Sequence, residues 1–190
     1  MNTIDAIKRR RSIRCFCAKS IEKEKIDQLK EITRYYPCPA NLQPLKFVFL
    51  QNPTDVLPIF QHLHWAKYLP EYSLKKDSAP QALLLIFGDT TIASDFGFST
   101  GAAATEIMLA AQDLGIASCC LGIHTKDDIA TTLGIDPTRF KFQCLIALGY
   151  GCQKSTVVPY ENDCKYWQDE NGQFHVPKRN TSETFLKPEI

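Results

Sequence analysis

Lys8-Arg9-Arg10-Arg11-Ser12-Ile13-Arg14 packs five cations and a hydroxyl into seven residues, just after the spaced apolar pair Ile4 and Ile7. That density suits a compact multivalent anion such as a phosphate monoester. The planar guanidinium fork makes bidentate, charge-assisted hydrogen bonds to phosphate oxygens, and a neighbouring serine adds one more. The same residues also read as a solvated basic patch, or as a helix C-terminus favoured by positive charge. A nucleic-acid arm is the weakest of the three readings, because no second basic cluster accompanies it.

Composition narrows the choice. The 190 residues are 44% apolar and 23% charged, which describes one globular domain with a core of its own, 1–190. A net charge of +1 supplies no global field to draw the chain to nucleic acid or an anionic membrane, so the basic stretch is expected to bind a small anion locally. The opening residues are charged and do not read as a signal peptide. The eight cysteines are therefore expected as free thiols in a reducing cytoplasm. Cys15-Phe16-Cys17 and Cys119-Cys120 are too close for the usual metal clip, and His62, His64, His124 and His175 are scattered. No apolar run reaches the roughly 18 residues of a membrane span.

Outward from the basic stretch, Ser20 is expected to cap a helix over 21–34 that carries Ile26, Leu29 and Ile32 on one face. Pro37 and Pro39 stop it and open a stiff loop through Pro44. In that loop Asn41 and Gln43 offer donors and acceptors of the kind the edge of a pyrimidine-like ring requires, although Asn41 also serves ordinary turns. Strands are expected at 47–50, 82–87, 117–122 and 142–148. The continuous apolar run of 82–87 marks a strand covered on both faces, with helices on each side of the sheet. Helices are expected at 53–63 and 95–114, and from a capping box of Thr125 and Asp128 to Leu133; the polar stretch 70–80 is long enough for a lid. Gly101-Ala-Ala-Ala104 places small residues where a second helix or a flat cofactor can approach. Residues 152–190 lack periodic apolar positions yet keep Tyr160, Tyr166, Trp167 and Phe174, so they are expected to pack onto their own domain or a partner subunit. Lys178 and Arg179 there are placed to complete a phosphate site begun at Arg10.

No glycine-rich dinucleotide fingerprint, P-loop or hydrolytic triad can be assembled. Missing acid–base machinery suits an enzyme whose cofactor carries the chemistry.

The ordered set is Arg10-Arg-Ser-Ile-Arg14 with Phe16, Pro37-x-x-x-Asn41-x-Gln43-Pro44, the Gly/Ala-rich helix ending at Leu114-Gly115, Leu148-Gly149-Tyr150, and Pro177-Lys178-Arg179. It spans nearly the whole chain and resembles the flavin (FMN)-dependent nitroreductase family; 160–172 and 178–179 resemble a compact bacterial branch of it. The resemblance implies an α+β fold with a mostly antiparallel central sheet flanked by helices. It also implies an intertwined homodimer in which the extension 152–190 crosses to the partner, and FMN at the interface. Arg10, Arg11 and Ser12, with Lys178 or Arg179, would hold the phosphate end, and Arg14 would approach the N1 and O2 side of the ring. Cys38, Pro39, Ala40, Asn41 and Gln43 would line the ring from across the interface, with the backbone near Gly122 facing N5. The family often has Ser where Cys38 and Pro39 stand here, and Pro39 has no N–H to donate.

The activity so implied is hydride transfer from NAD(P)H through FMN to nitroaromatic, quinone or similar electron-poor acceptors by a ping-pong route. It involves no nucleic acid and no membrane, and it is placed in the cytoplasm. An FMN storage or regulatory protein without turnover, and a nucleic-acid-contacting structural protein, are the alternatives.

Overall fold

The computed structural model describes residues 1–60, 66, 68–69, 78–122 and 126–186. Helix α1 (Thr3–Arg9) and helix α2 (Lys23–Ile32) precede a single helical turn at Pro39–Asn41. Strand β1 (Leu45–Leu50), helix α3 (Pro53–Phe60), strand β2 (Ala82–Asp89), helix α4 (Gly97–Asp113) and strand β3 (Ala117–Leu121) follow. Helix α5 (Lys126–Thr132) and strand β4 (Phe140–Gly149) complete the main body. The C-terminal part adds β5 (Ser155–Pro159), β6 (Trp167–Gln168), β7 (Phe174–Lys178) and the short helix α6 (Thr181–Thr184).

The main sheet has the order β1-β2-β4-β3, and every pair in it is antiparallel. All eight residues of β2 are buried, as its unbroken apolar run implied. Because side chains alternate, Leu83, Leu85 and Phe87 enter a core with Phe16, Ile59 of α3 and Ile129 of α5. Leu84 and Ile86 face the other way, against Ile26 and Leu29 of α2 and Ala104, Ile107 and Ala111 of α4. Helices thus cover both faces, and the α+β architecture with an antiparallel sheet is the one expected.

Local boundaries differ for identifiable reasons. Helix α2 starts at Lys23, not 21, because the backbone is still extended at Glu22 (ψ 141°), with Ile21 buried ahead of it and Ser20 too far upstream to cap. Glu22 takes the cap position without a side-chain cap bond, since its carboxylate binds the Tyr150 hydroxyl and pairs with Lys19 and Lys25. Helix α4 begins at Gly97, whose N–H donates to Asp95 Oδ1 (2.9 Å). The proposed lid at 70–80 and the Thr125 cap fall mainly outside the described residues.

Two features at the end of β2 carry tests. A Cβ on Gly88 would lie 2.4 Å from the buried Phe96 ring, so Gly88→Ala must displace that ring. The expected cost is about 1–3 kcal/mol in a denaturant titration. The buried Asp89 accepts from Arg139 Nε (3.2 Å) and Nη2 (2.9 Å) and from the Thr91 N–H (3.0 Å) and hydroxyl (2.6 Å). Arg139 foremost, then Thr91, holds this carboxyl well below the ordinary carboxylate range. A depressed folded pKa means its contribution is complete above the unfolded value of about 3.9 and fades as the pH falls through the folded one. Asp89→Asn should therefore lower the thermal midpoint at pH 7 and flatten its fall below about pH 4.

The tail does not build a core alone. Strand β7 pairs parallel with β5 and antiparallel with β6, and its Phe174 is 1% exposed. The Cys152 N–H donates to Cys15 O (3.0 Å), tying the start of the tail to the N-terminal arm of its own protomer.

Candidate cofactor-binding site

The basic stretch becomes an extended arm because α1 stops short of it. Arg10 leaves the helix at ψ 129°, after its N–H closes the last turn on Ala6 O (2.9 Å). Ser12 then forms a parallel bridge with Ser118 on the outer strand β3, with the Ile13 N–H donating to Ser118 O (3.0 Å). Phe16 bridges antiparallel to Gly151 and inserts its ring into the core, 1% exposed. The Gln153 side chain completes the register. Its Oε1 accepts from the Arg14 N–H (2.8 Å), and its Nε2 donates to Ser12 O (3.3 Å).

So placed, Arg10, Arg11, Ser12 and Arg14 form one wall of a cavity of about 240 Å³. Ser155, Tyr166, Phe174, Val176 and Lys178 of the C-terminal segment form the other. Four cations line it and no carboxylate does. Among the described residues none of the four belongs to an ion pair. Arg11 Nη1 donates to Arg10 O (2.6 Å), and the Arg14 guanidinium sits 4.9 Å from the Tyr166 ring centre. Both Arg11 Nε and Arg14 Nε are buried without a hydrogen-bond partner among the described residues. Burial first, and the Arg10 charge second, push the Arg11 guanidinium below its ordinary value. Buried donors without acceptors beside like charges are costly unless an anion completes them.

Lys178 reaches the cavity and Arg179 does not. Residue 179 follows 178 at the end of β7 and turns away, stacking 4.0 Å from the Tyr160 ring centre and pairing with Glu183 (3.6 Å). Gly122 follows β3 and is exposed, with open space where a Cβ would stand. It lies four residues along the same strand edge from Ser118.

The amide loop lies elsewhere. Ala40, Asn41 and Gln43 all have positive φ (50°, 53° and 50°), a conformation costing each non-glycine residue on the order of 1 kcal/mol. The loop bonds to itself: the Gln43 N–H donates to Cys38 Sγ (3.2 Å), and Gln43 Nε2 donates to Asn41 Oδ1 (3.2 Å). Buried Tyr36 and Pro44 anchor its ends, while 39–43 stay exposed. Leu45 pairs with Gly88, which pairs with Lys141; Ser118 pairs with Leu148. The loop and the arm therefore sit at opposite ends of the sheet and on its two outer strands. The separation is on the order of 14 Å across the strands and 20 Å along them. One small molecule cannot touch both within a protomer.

Gln153, Ser155 and Tyr166 were not singled out as site residues from sequence. A lone glutamine in a polar tail carries no signal of its own. Tyr166 carried one, as an aromatic in a segment unable to form a core. A wider crevice of about 660 Å³ adjoins the cavity through Tyr166, with Tyr68 and Trp167 on its walls.

The fold agrees with comparisons to known proteins. The nitroreductase family profile matches residues 7–91 and 74–150. The chain belongs to the nitroreductase family. An Archaeoglobus fulgidus protein provisionally named NADH dehydrogenase/NAD(P)H nitroreductase is 27% identical over 168 residues, covering 84% of this chain and 90% of that protein. Among solved structures, a provisionally named nitroreductase from Desulfovibrio desulfuricans in complex with FMN superposes with TM-score 0.72 at 22% identity, covering 100% of this chain and 98% of that one. An FMN-dependent nitroreductase from Clostridium difficile gives 0.70 at 21%, covering 84% and 92%. At those identities the two structures establish the fold alone.

Proposed function

We propose that this protein is an FMN-dependent oxidoreductase passing hydride from NAD(P)H to nitroaromatic, quinone or similar electron-poor acceptors by a ping-pong route. The observation that carries the reading is the 240 Å³ cavity with four cations, no carboxylate and two buried guanidinium Nε atoms lacking acceptors. A phosphate monoester supplies the missing negative charge and oxygen acceptors together. The FMN and NAD(P)H in the names of the relatives support the same choice.

Arg10, Arg11, Ser12 and Lys178 would hold the phosphate. Arg14, stacked on Tyr166 and fixed through its N–H by Gln153, would set a positive charge beside the pyrimidine side of the flavin ring, favouring electron acceptance. Bound FMN would supply hydride acceptance and donation at N5. The backbone around Gly122 would face that atom from the free edge of β3.

Cys38, Pro39, Ala40, Asn41 and Gln43 would reach the ring only from a second subunit, given the separation imposed by the strand register. A homodimer is therefore part of the reading. It would also cover Ile4 and Ile7 of α1 and Phe98 of α4, which are 63%, 55% and 64% exposed. The tail bonds to its own protomer as far as β7. A crossing to the partner would begin beyond Lys178, where Phe185 and Leu186 are 73% and 96% exposed. Eight free thiols suit a reducing cytoplasm, and no described helix is long and apolar enough to cross a membrane.

An absorbance spectrum before and after anaerobic NADH or NADPH tests the reading. The expected result is a yellow protein bleached by one of the two and recoloured by a quinone. A yellow protein that neither bleaches would be an FMN holder without turnover. A colourless protein with salt-sensitive affinity for nucleic acid would refute the flavin assignment.

A further inference from the structure

Cys15 and Cys17 of the arm lie close to Cys152, from a distant part of the chain, beside the cavity. Cys15 and Cys17 point to the same side of the arm, with Phe16 between them facing the core. Cys152 stands opposite Cys15 across the antiparallel bridge of Phe16 and Gly151. Sγ of Cys15 and Sγ of Cys152 are 2.9 Å apart. Directly opposed residues in such a ladder have Cα atoms about 5.5 Å apart, inside the window of about 4.4–6.8 Å that a disulfide accepts. Cys17 is diagonal to Cys152, where Cα spacing runs to about 7–8 Å, so Cys15 is the better matched partner. Cys152 is exposed, and Cys15 and Cys17 are half-buried, unlike the enclosed Cys119 and Cys144.

We propose that Cys15 and Cys152 form a redox-modification site, which a hydroperoxide converts to a disulfide tying the arm of Arg10–Arg14 to the segment that enters β5. Arg14 precedes Cys15 and Gln153 follows Cys152, and those neighbours already share a hydrogen bond, so the crosslink fixes the two walls of the cavity to each other. The exposed Cys152 sulfur attacks the peroxide O–O bond, giving a sulfenic acid and releasing water or an alcohol. Cys15 sulfur then displaces the sulfenic oxygen as water. Two thiols lose two electrons and two protons, and the peroxide is reduced. Burial and the bond to Cys15 push the Cys152 thiol up, and the neighbouring Cys152 pushes Cys17 up, so peroxide is needed in excess near neutral pH.

The site does not depend on flavin, and its test is independent of colour or turnover. The full-length protein, fully reduced, is treated with excess hydrogen peroxide, alkylated and mapped by mass spectrometry. The expected product is a Cys15–Cys152 linked peptide with loss of two hydrogens, reversed by dithiothreitol, absent in Cys152→Ser and retained in Cys17→Ser. Closing so long a loop should raise the unfolding midpoint of the oxidised protein by at least about 5 °C, with no peroxide-dependent rise in Cys152→Ser. Sulfinic acid at Cys152 without a crosslink, a dominant link to another cysteine, or a crosslink that leaves the midpoint unchanged would overturn the proposal.

Discussion

Arg11→Met should weaken FMN binding about 10- to 100-fold while raising the unfolding midpoint of the flavin-free protein. The two signs have one cause. Arg11 is desolvated beside Arg10, its Nε lacks an acceptor, and it shares the cavity with Arg14 and Lys178. Without an anion that arrangement is a liability, and an apolar side chain of similar length removes it. With a phosphate present the same guanidinium gains charge-assisted hydrogen bonds worth about 1.5–3 kcal/mol, which is the source of the affinity loss. A purely structural arginine would behave oppositely, since its removal would destabilise the flavin-free chain. Thermal melts of flavin-stripped wild type and variant, with fluorescence titrations by FMN, read both effects.

Phe16→Ala is expected to cost about 3–5 kcal/mol, the range for deleting a buried aromatic ring. Phe16 is 1% exposed and packs against Gly149, where a Cβ would come within 2.9 Å of the ring. Against a typical total of about 5–15 kcal/mol, the loss is a large fraction. It also releases the arm. The Phe16 bridge to Gly151 and the Ser12 bridge to Ser118 are what hold Arg10, Arg11 and Arg14 on the edge of β3. Urea titration should show the lost stability, and at 4 °C, where the variant stays folded, FMN retention should fall as well. A variant that unfolds early yet binds FMN with wild-type affinity would show that the arm does not depend on its anchor.

Much of the fold could be read from the chain because its central strand is a continuous apolar run, the mark of a strand covered on both faces. The cation stretch was legible for a similar reason: five positive charges in seven residues have few uses in a nearly neutral protein. Other features were not. That the arm lies on β3, and that Gln153 serves as its hydrogen-bond partner, depends on pairing between residues 139 positions apart. The split between Lys178 and Arg179 follows from which side of β7 faces the arm, which sequence alone does not tell. The expected Ser20 cap gave way to Glu22, whose carboxylate binds the hydroxyl of Tyr150, just past β4 and 128 positions along the chain. The triple-proline loop announced rigidity, but not its three positive φ angles or the bond between its two amides.

The central claim is that the arm and β7 form a cavity that recognises a phosphate monoester. Comparing the affinities of FMN and riboflavin, which differ only in that phosphate, for wild type and Arg11→Met tests it most directly. The account predicts that wild type prefers FMN by 100-fold or more, on the order of two charge-assisted contacts, and that the variant loses at least about tenfold of that preference while riboflavin binding stays the same. Equal losses for both ligands, or an undiminished preference for FMN, would place the phosphate elsewhere.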